Sequence, residues 1–238
     1  MNNSIFKLFS QILFIIISLM LFSCEKEITT DDPSFITYYV RITLNGNEII
    51  TIPKGTSFVD PGFTATENNV DVTNKVIITG EVDTNKIGLY NIKYKVYNKD
   101  GFPSSIIRKV IVYDPEAPNI NIKGIYKSTV IRPPINNKYK LEQYKDLIVK
   151  IDSIAPGFFY ISDLLGGFYE QGRNYGKNYA MYGYFSLNSD FSLNLIESFV
   201  PGWKMSLSKL EGSYDTLSGS INYIAYFDEF TFFITLTK

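Results

Sequence analysis

Apolar residues recur at every second position along most of the chain. Tyr38, Val40 and Ile42 alternate with Thr37, Tyr39 and Arg41, and Ile92, Tyr94 and Val96 alternate with Lys93, Lys95 and Tyr97. Further on, Leu147, Val149 and Ile151 oppose Ile148, Lys150 and Asp152. Phe191, Leu193 and Leu195 oppose Ser192, Asn194 and Ile196, and Phe232, Ile234 and Leu236 oppose Phe233, Thr235 and Thr237. A period of two places one set of side chains on one face of a strand and the other set on the reverse. No segment keeps a helical period, so every predicted element is a strand. Shorter strands are predicted at 48–52, stopped by Pro53-Lys54-Gly55, and at 75–79. A long pair at 91–97 and 106–113 is joined through the hairpin signal Asp100-Gly101. Gly88-Leu89-Tyr90 has the form of a tyrosine corner, in which a phenol closes the turn entering a late strand.

The fold class expected is therefore all-β. Asp114-Pro115-Glu116-Ala117-Pro118 divides it, since two prolines deny ladder donors and stiffen the backbone. Residues 36–114 are expected to form one β-sandwich, because turn signals recur at sandwich spacing. Residues 115–118 form a proline linker and residues 119–238 a second antiparallel β domain. Its successive strands and short Gly-, Asn- and Ser-containing turns fit a meander, closed as a barrel or folded as a sandwich.

The first 23 residues differ from the rest. Lys7 is their only charge, and the apolar run Ile12 to Phe22 is too short for the roughly 20 residues a spanning helix needs. The run ends in Leu21-Phe22-Ser23-Cys24, with a small residue before the single cysteine of the chain. This is the layout of a lipoprotein signal peptide at residues 1–23, whose cleavage leaves Cys24 for acylation. The acidic and polar residues 24–35 then act as a tether. The expected location is the outer membrane, lipid-anchored and exposed at the cell surface.

Composition removes several kinds of chemistry. There is no histidine, and with Cys24 acylated no thiol is left for disulfides or metal sites. Ser-His-Asp and Cys-His catalysis and His-ligated zinc are therefore absent. The formal charge of −1 gives no basic surplus to attract nucleic acid. No phosphate-binding loop, dinucleotide fingerprint or EF-hand is present, and neither a metal nor a cofactor is expected. Asp163 with Glu170, or Asp190 with Glu197, could be nominated as a carboxylate pair for glycoside hydrolysis. No motif marks either pair, so no catalytic residue is assigned and the chain is not expected to be an enzyme.

Two resemblances add to this reading. Ile42-Thr43-Leu44-Asn45-Gly46, Gly55-Thr56-Ser57-Phe58-Val59-Asp60-Pro61-Gly62, Ala65, Gly80, Val82, the Gly88-Leu89-Tyr90 step, Asp100-Gly101 and Arg108-Lys109-Val110-Ile111-Val112 carry the first. Together they resemble the bacterial Ig-like domain first noted in pesticidal crystal proteins, a module that implies a spacer or adhesion role. That family often places an acidic residue and a glycine where this chain has Asn68-Asn69, which argues against a calcium site around Asp60 and Asp71. The stretch from Tyr160 to Arg173, then Tyr175-Gly176, and Gly212-Ser213-Tyr214-Asp215 with Gly219, Ile221 and Tyr223, carries the second. It resembles the C-terminal domain of small Bacteroidetes surface lipoproteins encoded beside outer-membrane glycan importers. The resemblance implies glycan capture, with a polysaccharide or oligosaccharide and such an importer as partners.

The densest aromatic and glycine region runs from Phe158 to Tyr184. Sugars are held by stacking their C–H faces on rings while polar side chains bond their hydroxyls. The candidate glycan-binding residues are Tyr169, Tyr175, Tyr179, Tyr182 and Trp203 as rings, with Asp163, Glu170 and Arg173 as polar partners. Any one of these rings equally serves as half-buried sheet packing. The expected function is non-catalytic surface glycan binding in support of polysaccharide uptake. The alternative is a structural, adhesion or scaffold lipoprotein that contacts an outer-membrane transporter or a host glycoprotein.

Overall fold

The computed structural model describes residues 36–238 apart from Asn137, so the signal peptide, Cys24 and the tether lie outside the described residues. The first domain packs two sheets. One contains β1 (Arg41–Leu44), β3 (Phe63–Glu67) and β4 (Val70–Asp71). The other has the order β2 (Ile49–Pro53), β7 (Pro103–Tyr113), β6 (Gly88–Tyr97), β5 (Ile77–Thr79). β2 runs parallel to β7, and the other pairs are antiparallel. The inward members of the alternating sets, among them Ile92, Tyr94, Val96 and Val110, are buried between the sheets as their period requires. At the entry to β6 the Tyr90 hydroxyl donates to the Lys86 carbonyl at 2.9 Å, which closes the turn.

A charged side chain lies at zero exposure inside this sandwich. Arg108 is fully buried and pairs with Asp60 at 2.9 Å. Its other terminal nitrogen donates to the carbonyls of Asn45 (2.8 Å) and Gly62 (2.9 Å), which ties two loops to β7. The Tyr94 hydroxyl donates to the second Asp60 oxygen. Burial first, and then this bond to a carboxylate, pushes the Tyr94 phenol up to about 12. Asp60 is thus occupied by an arginine and a tyrosine, and Asp71 by the backbone N–H of Thr73 at 2.8 Å. Among the described residues no cluster of acidic side chains gathers that could hold a metal ion.

The second domain is an up-and-down meander of eight antiparallel strands. They are β8 (Gly124–Arg132), β9 (Glu142–Ala155), β10 (Phe158–Ile161), β11 (Tyr182–Leu187), β12 (Leu193–Phe199), β13 (Lys209–Tyr214), β14 (Ile221–Phe227) and β15 (Phe230–Thr237). The last strand pairs with the first, from Phe233 opposite Ile131 to Thr237 opposite Lys127. β12 and β13 meet through a bridge between Ser192 and Ser213, and the Leu207 N–H donates to Ser198 Oγ at 2.8 Å. The domain is therefore a nearly closed barrel, which settles the choice between barrel and sandwich. Pairing β8 with β15 removes two edges that a sandwich would leave open. The strand expected from Phe191 begins later, at Leu193, because Phe191 takes a left-handed turn conformation with φ 64°.

The barrel is packed solid. The loop leaving β10 runs into the interior, with Leu164, Leu165 and Phe168 at zero exposure. Gly166 has φ 65°, and a Cβ there would sit 2.7 Å from the Ser128 hydroxyl, so the loop needs glycine to pass β8.

The two domains share an apolar seam. Ile111 on the outer face of β7 is buried with Ala155 and Phe158 of the barrel, and Leu89, Tyr113, Tyr184 and Ile196 pack around them. The proline segment is thus backed by side-chain contact as well as by its own stiffness. Breaking the buried Arg108 pair is expected to cost about 3 kcal/mol, because Arg108→Ala leaves the Asp60 carboxylate without its counter-charge and takes one donor from each of the Asn45 and Gly62 carbonyls. A urea unfolding midpoint compared with the parent measures it; a midpoint within error of the parent refutes this account of the sandwich core.

Candidate functional site

Alternate hairpins of a meander fall at alternate ends of the barrel. The turns of residues 156–157, 188–192 and 215–220 lie at the end near the Ig-like domain. The β8–β9, β10–β11, β12–β13 and β14–β15 connections lie at the far end. Each of these four delivers part of one side-chain cluster.

The β10–β11 connection supplies most of it. Residues Phe168–Gly172 form a wide helical turn in which the N–H groups of Gly172 and Arg173 reach back five residues, to Gly167 O (3.0 Å) and Phe168 O (2.9 Å). The Gln171 side chain docks this turn on β9 by mimicking a strand: Nε2 donates to Ile148 O at 2.8 Å, and Oε1 accepts from Ile148 N–H at 2.9 Å. Arg173 then meets Glu142, at the start of β9, through two parallel bonds of 3.0 and 2.5 Å. The buried Arg132 donates to the same carboxylate at 3.1 Å, so Glu142 sits between two guanidinium groups. The bond to Glu142 raises the Arg173 pKa, and the guanidinium stays charged at every relevant pH. Forked pairs of this kind fix orientation as well as position.

Rings build on this clamp. Tyr169 is the floor, 6% exposed, with Arg173 over its face at 5.9 Å. Burial pushes its phenol up to about 12. Trp203 packs edge-on to Tyr169 at 4.7 Å, and Tyr175 stacks on it at 6.0 Å. Tyr179 closes the group, 4.8 Å from Trp203 and 5.4 Å from Tyr175. Phe227, from the β14–β15 end, backs Trp203 at 5.8 Å. The Trp203 loop is tied to the Tyr179 loop by Gly202 N–H donating to Asn178 O at 2.7 Å. A Cβ at Gly202 would lie 2.7 Å from the Tyr179 ring, so this approach needs glycine. Tyr175 is 47% exposed, Trp203 and Tyr179 are half-buried, and Arg173 donates to the Tyr175 hydroxyl at 3.3 Å. Flat faces, two phenols and a guanidinium thus share one surface in fixed orientation.

The structure brings together Tyr169, Arg173, Tyr175, Tyr179 and Trp203. It sets Asp163 and Tyr182 apart from them, while Glu170 lies in the same turn as Tyr169. Asp163 is a correction: at zero exposure it cannot touch a ligand on the surface. Its Oδ1 accepts from Leu165 N–H (2.8 Å) and Met181 N–H (3.2 Å), which joins the two ends of the loop inside the barrel. Burial dominates those bonds and pushes the carboxyl up to about 7. The nomination of Asp163 with Glu170 as a carboxylate pair for glycoside hydrolysis falls with it, since Asp163 cannot reach a substrate. Glu170 is half-buried, and its side chain makes no hydrogen bond among the described residues. Tyr182 stands on the outer wall of β11 against Phe199 at 6.0 Å, away from Trp203. Asp190 lies in the turn at the opposite end, accepting from Ser192 N–H at 3.0 Å. Glu142 and Arg132 were missed. Glu142 is 31 residues upstream of Arg173, and only the docking of the β10–β11 loop on β9 brings them into contact.

The chain is thus an Ig-like sandwich followed by a nearly closed antiparallel barrel. Residues 42–112 match the family model described as a bacterial surface protein, Ig-like domain, and residues 115–238 match a C-terminal-domain family model. The chain is 35% identical to the lipoprotein BT2262 from Bacteroides thetaiotaomicron, over 84% of this chain and 100% of that one, with a TM-score of 0.45. It belongs to the same family. Weaker likenesses are to two structures of Clostridium perfringens ZmpB. One is of CBM51-2 in complex with GlcNAc and INT domains: 20% identity, 52% of this chain, 29% of that one, TM-score 0.27. The other is of the M60 catalytic domain with CBM51-1 and CBM51-2: 22% identity, 52% of this chain, 14% of that one, TM-score 0.27. At those values neither bears on what this chain binds. No curated protein matches.

Asp163 makes stability depend on pH in a defined window. In the unfolded chain its carboxyl titrates near the ordinary 3.8, while the folded state keeps the proton up to about 7. Between these values the folded state binds more protons, so stability falls as pH rises, at up to about 1.4 kcal/mol per pH unit. Asp163→Asn keeps the acceptor without the charge and is expected to flatten that slope. Unfolding midpoints at intervals from pH 4 to pH 8 measure it, and equal slopes in parent and variant contradict the assignment.

Proposed function

We propose that this protein is a lipid-anchored component of the bacterial envelope that holds glycan at the cell surface, without transforming it, in support of polysaccharide uptake. One observation carries the reading. Four separate connections converge at one end of the barrel to place Tyr175, Tyr179 and Trp203 at fixed angles beside Arg173. Rings locked by their neighbours lose little freedom on binding, which favours stacking on the apolar face of a sugar.

The position of the cluster supports the same reading. The chain enters the Ig-like domain beside the β6–β7 hairpin, where Asn98 Nδ2 donates to Tyr38 O at 2.9 Å. It leaves from Tyr113, at the other end of that sheet, onto the barrel. β9 then runs from Ala155 at the domain seam to Glu142 at the cluster. Its 14 residues span about 45 Å. The rings therefore lie at the end of the barrel away from the Ig-like domain, where that domain does not cover them. A scaffold role beside an importer is favoured by a different feature: β5 is an edge strand with Ile77 and Ile78 more than half exposed, a surface that invites protein contact.

Affinity gels containing plant and host polysaccharides test the reading. The parent is expected to be retarded by at least one polymer. Tyr175→Ala, which removes an exposed ring and spares the core, is expected to weaken binding about tenfold, the equivalent of one buried contact of roughly 1.4 kcal/mol. Trp203→Ala is expected to weaken it further. Migration of the parent unaffected by every polymer, together with co-purification of a transporter, decides for the scaffold role.

A further inference from the structure

Tyr182 failed to join the tip cluster, but it has company of its own. On the outer wall of the barrel, cross-strand neighbours in one row are Asp152 on β9, Tyr160 on β10, Tyr184 on β11 and Glu197 on β12. One step toward the tip, Tyr182 is paired in register with Phe199. The rings touch edge to face, Tyr160 to Tyr184 at 5.4 Å and Tyr182 to Phe199 at 6.0 Å. All four are half-buried, so each is held in place and keeps part of its surface in solvent. Three strand intervals separate Asp152 from Glu197, about 14 Å. Carboxylates therefore stand at both edges of a ring-covered strip.

The two carboxylates differ. Asp152 is paired with Lys150 at 2.7 Å and Lys123 at 3.8 Å, whereas Glu197 is exposed and makes no salt bridge among the described residues. At the foot of the strip the Ig-like domain forms a step, with the Lys109 ammonium 5.7 Å over the Tyr184 ring. At its head, Tyr182 is three residues from Tyr179 of the tip cluster, about 10 Å of extended chain. Tyr182 to Tyr184 adds about 7 Å. The strip therefore continues the tip surface down the barrel wall as far as the seam.

We propose that the wall of β9–β12 is a second stretch of the binding surface, and that the occupant is an extended glycan chain rather than a terminal sugar. This rests on the reading of the tip as a glycan site. A run of rings in line takes the apolar faces of successive sugar units, and acceptors along both edges take the hydroxyls that point sideways from them. An exposed carboxylate without a cation at one edge fits a polyhydroxyl edge better than an apolar protein surface, which would leave that charge stranded.

Chain length is the variable that separates wall from tip. The probes are intact yeast mannan, starch and xylan, and size-fractionated hydrolysates of each from disaccharides upward, titrated calorimetrically into the mature chain. For a polymer that binds, affinity is expected to rise at least tenfold from disaccharide to the longest fragments. Tyr182→Ala with Tyr160→Ala is expected to remove that gain while leaving disaccharide affinity at the parent value. Glu197→Gln, which alters no packing, is expected to remove part of the gain and guards against a folding defect in the ring variants. Affinity independent of length, or a length gain untouched by the wall variants, overturns the proposal while short-fragment binding that depends on Tyr175 leaves the tip reading standing. A protein docked on the wall gives that same insensitivity. Absence of binding by every polymer and fragment overturns both.

Discussion

The pairing of β15 with β8 is the constraint on which the rest of the barrel depends. A meander of eight strands left flat would spread its four tip connections along one edge. The first and last connections would then be separated by six strand intervals, roughly 29 Å. Closing the sheet bends that line into a ring. Glu142, the helical turn at Phe168, Trp203 and Phe227, which come from four different hairpins, then become neighbours. Closure also supplies the interior that the β10–β11 loop fills, so the cluster rests on packed side chains.

That filling divides the work between polar and apolar groups. Burying the loop requires partners for its backbone, and Asp163 provides them to Leu165 and Met181 at the cost of holding a carboxyl away from water. The raised pKa of Asp163 reflects that cost. At the rim the charges are arranged differently. Glu142 is shared by Arg173 and Arg132, and part of each guanidinium lies over an aromatic face. A carboxyl with a raised pKa holds the inside of the loop, and a carboxylate shared by two arginines holds its outside.

Much of this could be read from the chain in advance, for a physical reason. Period-two alternation depends only on which face each residue takes, so Ile92, Tyr94 and Val96, or Phe232, Ile234 and Leu236, identify strands without reference to partners. The candidate rings were legible because they are dense in one loop. Closure was not legible: whether the last strand finds the first depends on twist and register summed over eight strands, and no local residue records it. For the same reason Glu142 and Arg132 stayed hidden, and Asp163 was misjudged. A carboxylate beside aromatics and glycines reads as a surface group until the loop carrying it is seen to turn inward.

The two ends of the barrel show why the ring cluster is where it is. At the seam, the loops are short and tight, and Phe158, Ala155 and Ile111 use apolar contact to fix one domain on the other. Any ring exposed there would be covered by the Ig-like domain, as Tyr184 partly is. At the tip, connections as long as the one between Ile161 and Tyr182 have room to fold back on themselves. A meander attached to its stalk at one end leaves only the other end and the wall free to evolve long loops and exposed rings. The seam therefore does more than join domains: by occupying one end of the barrel, it leaves the long loops and exposed rings to the surfaces that remain.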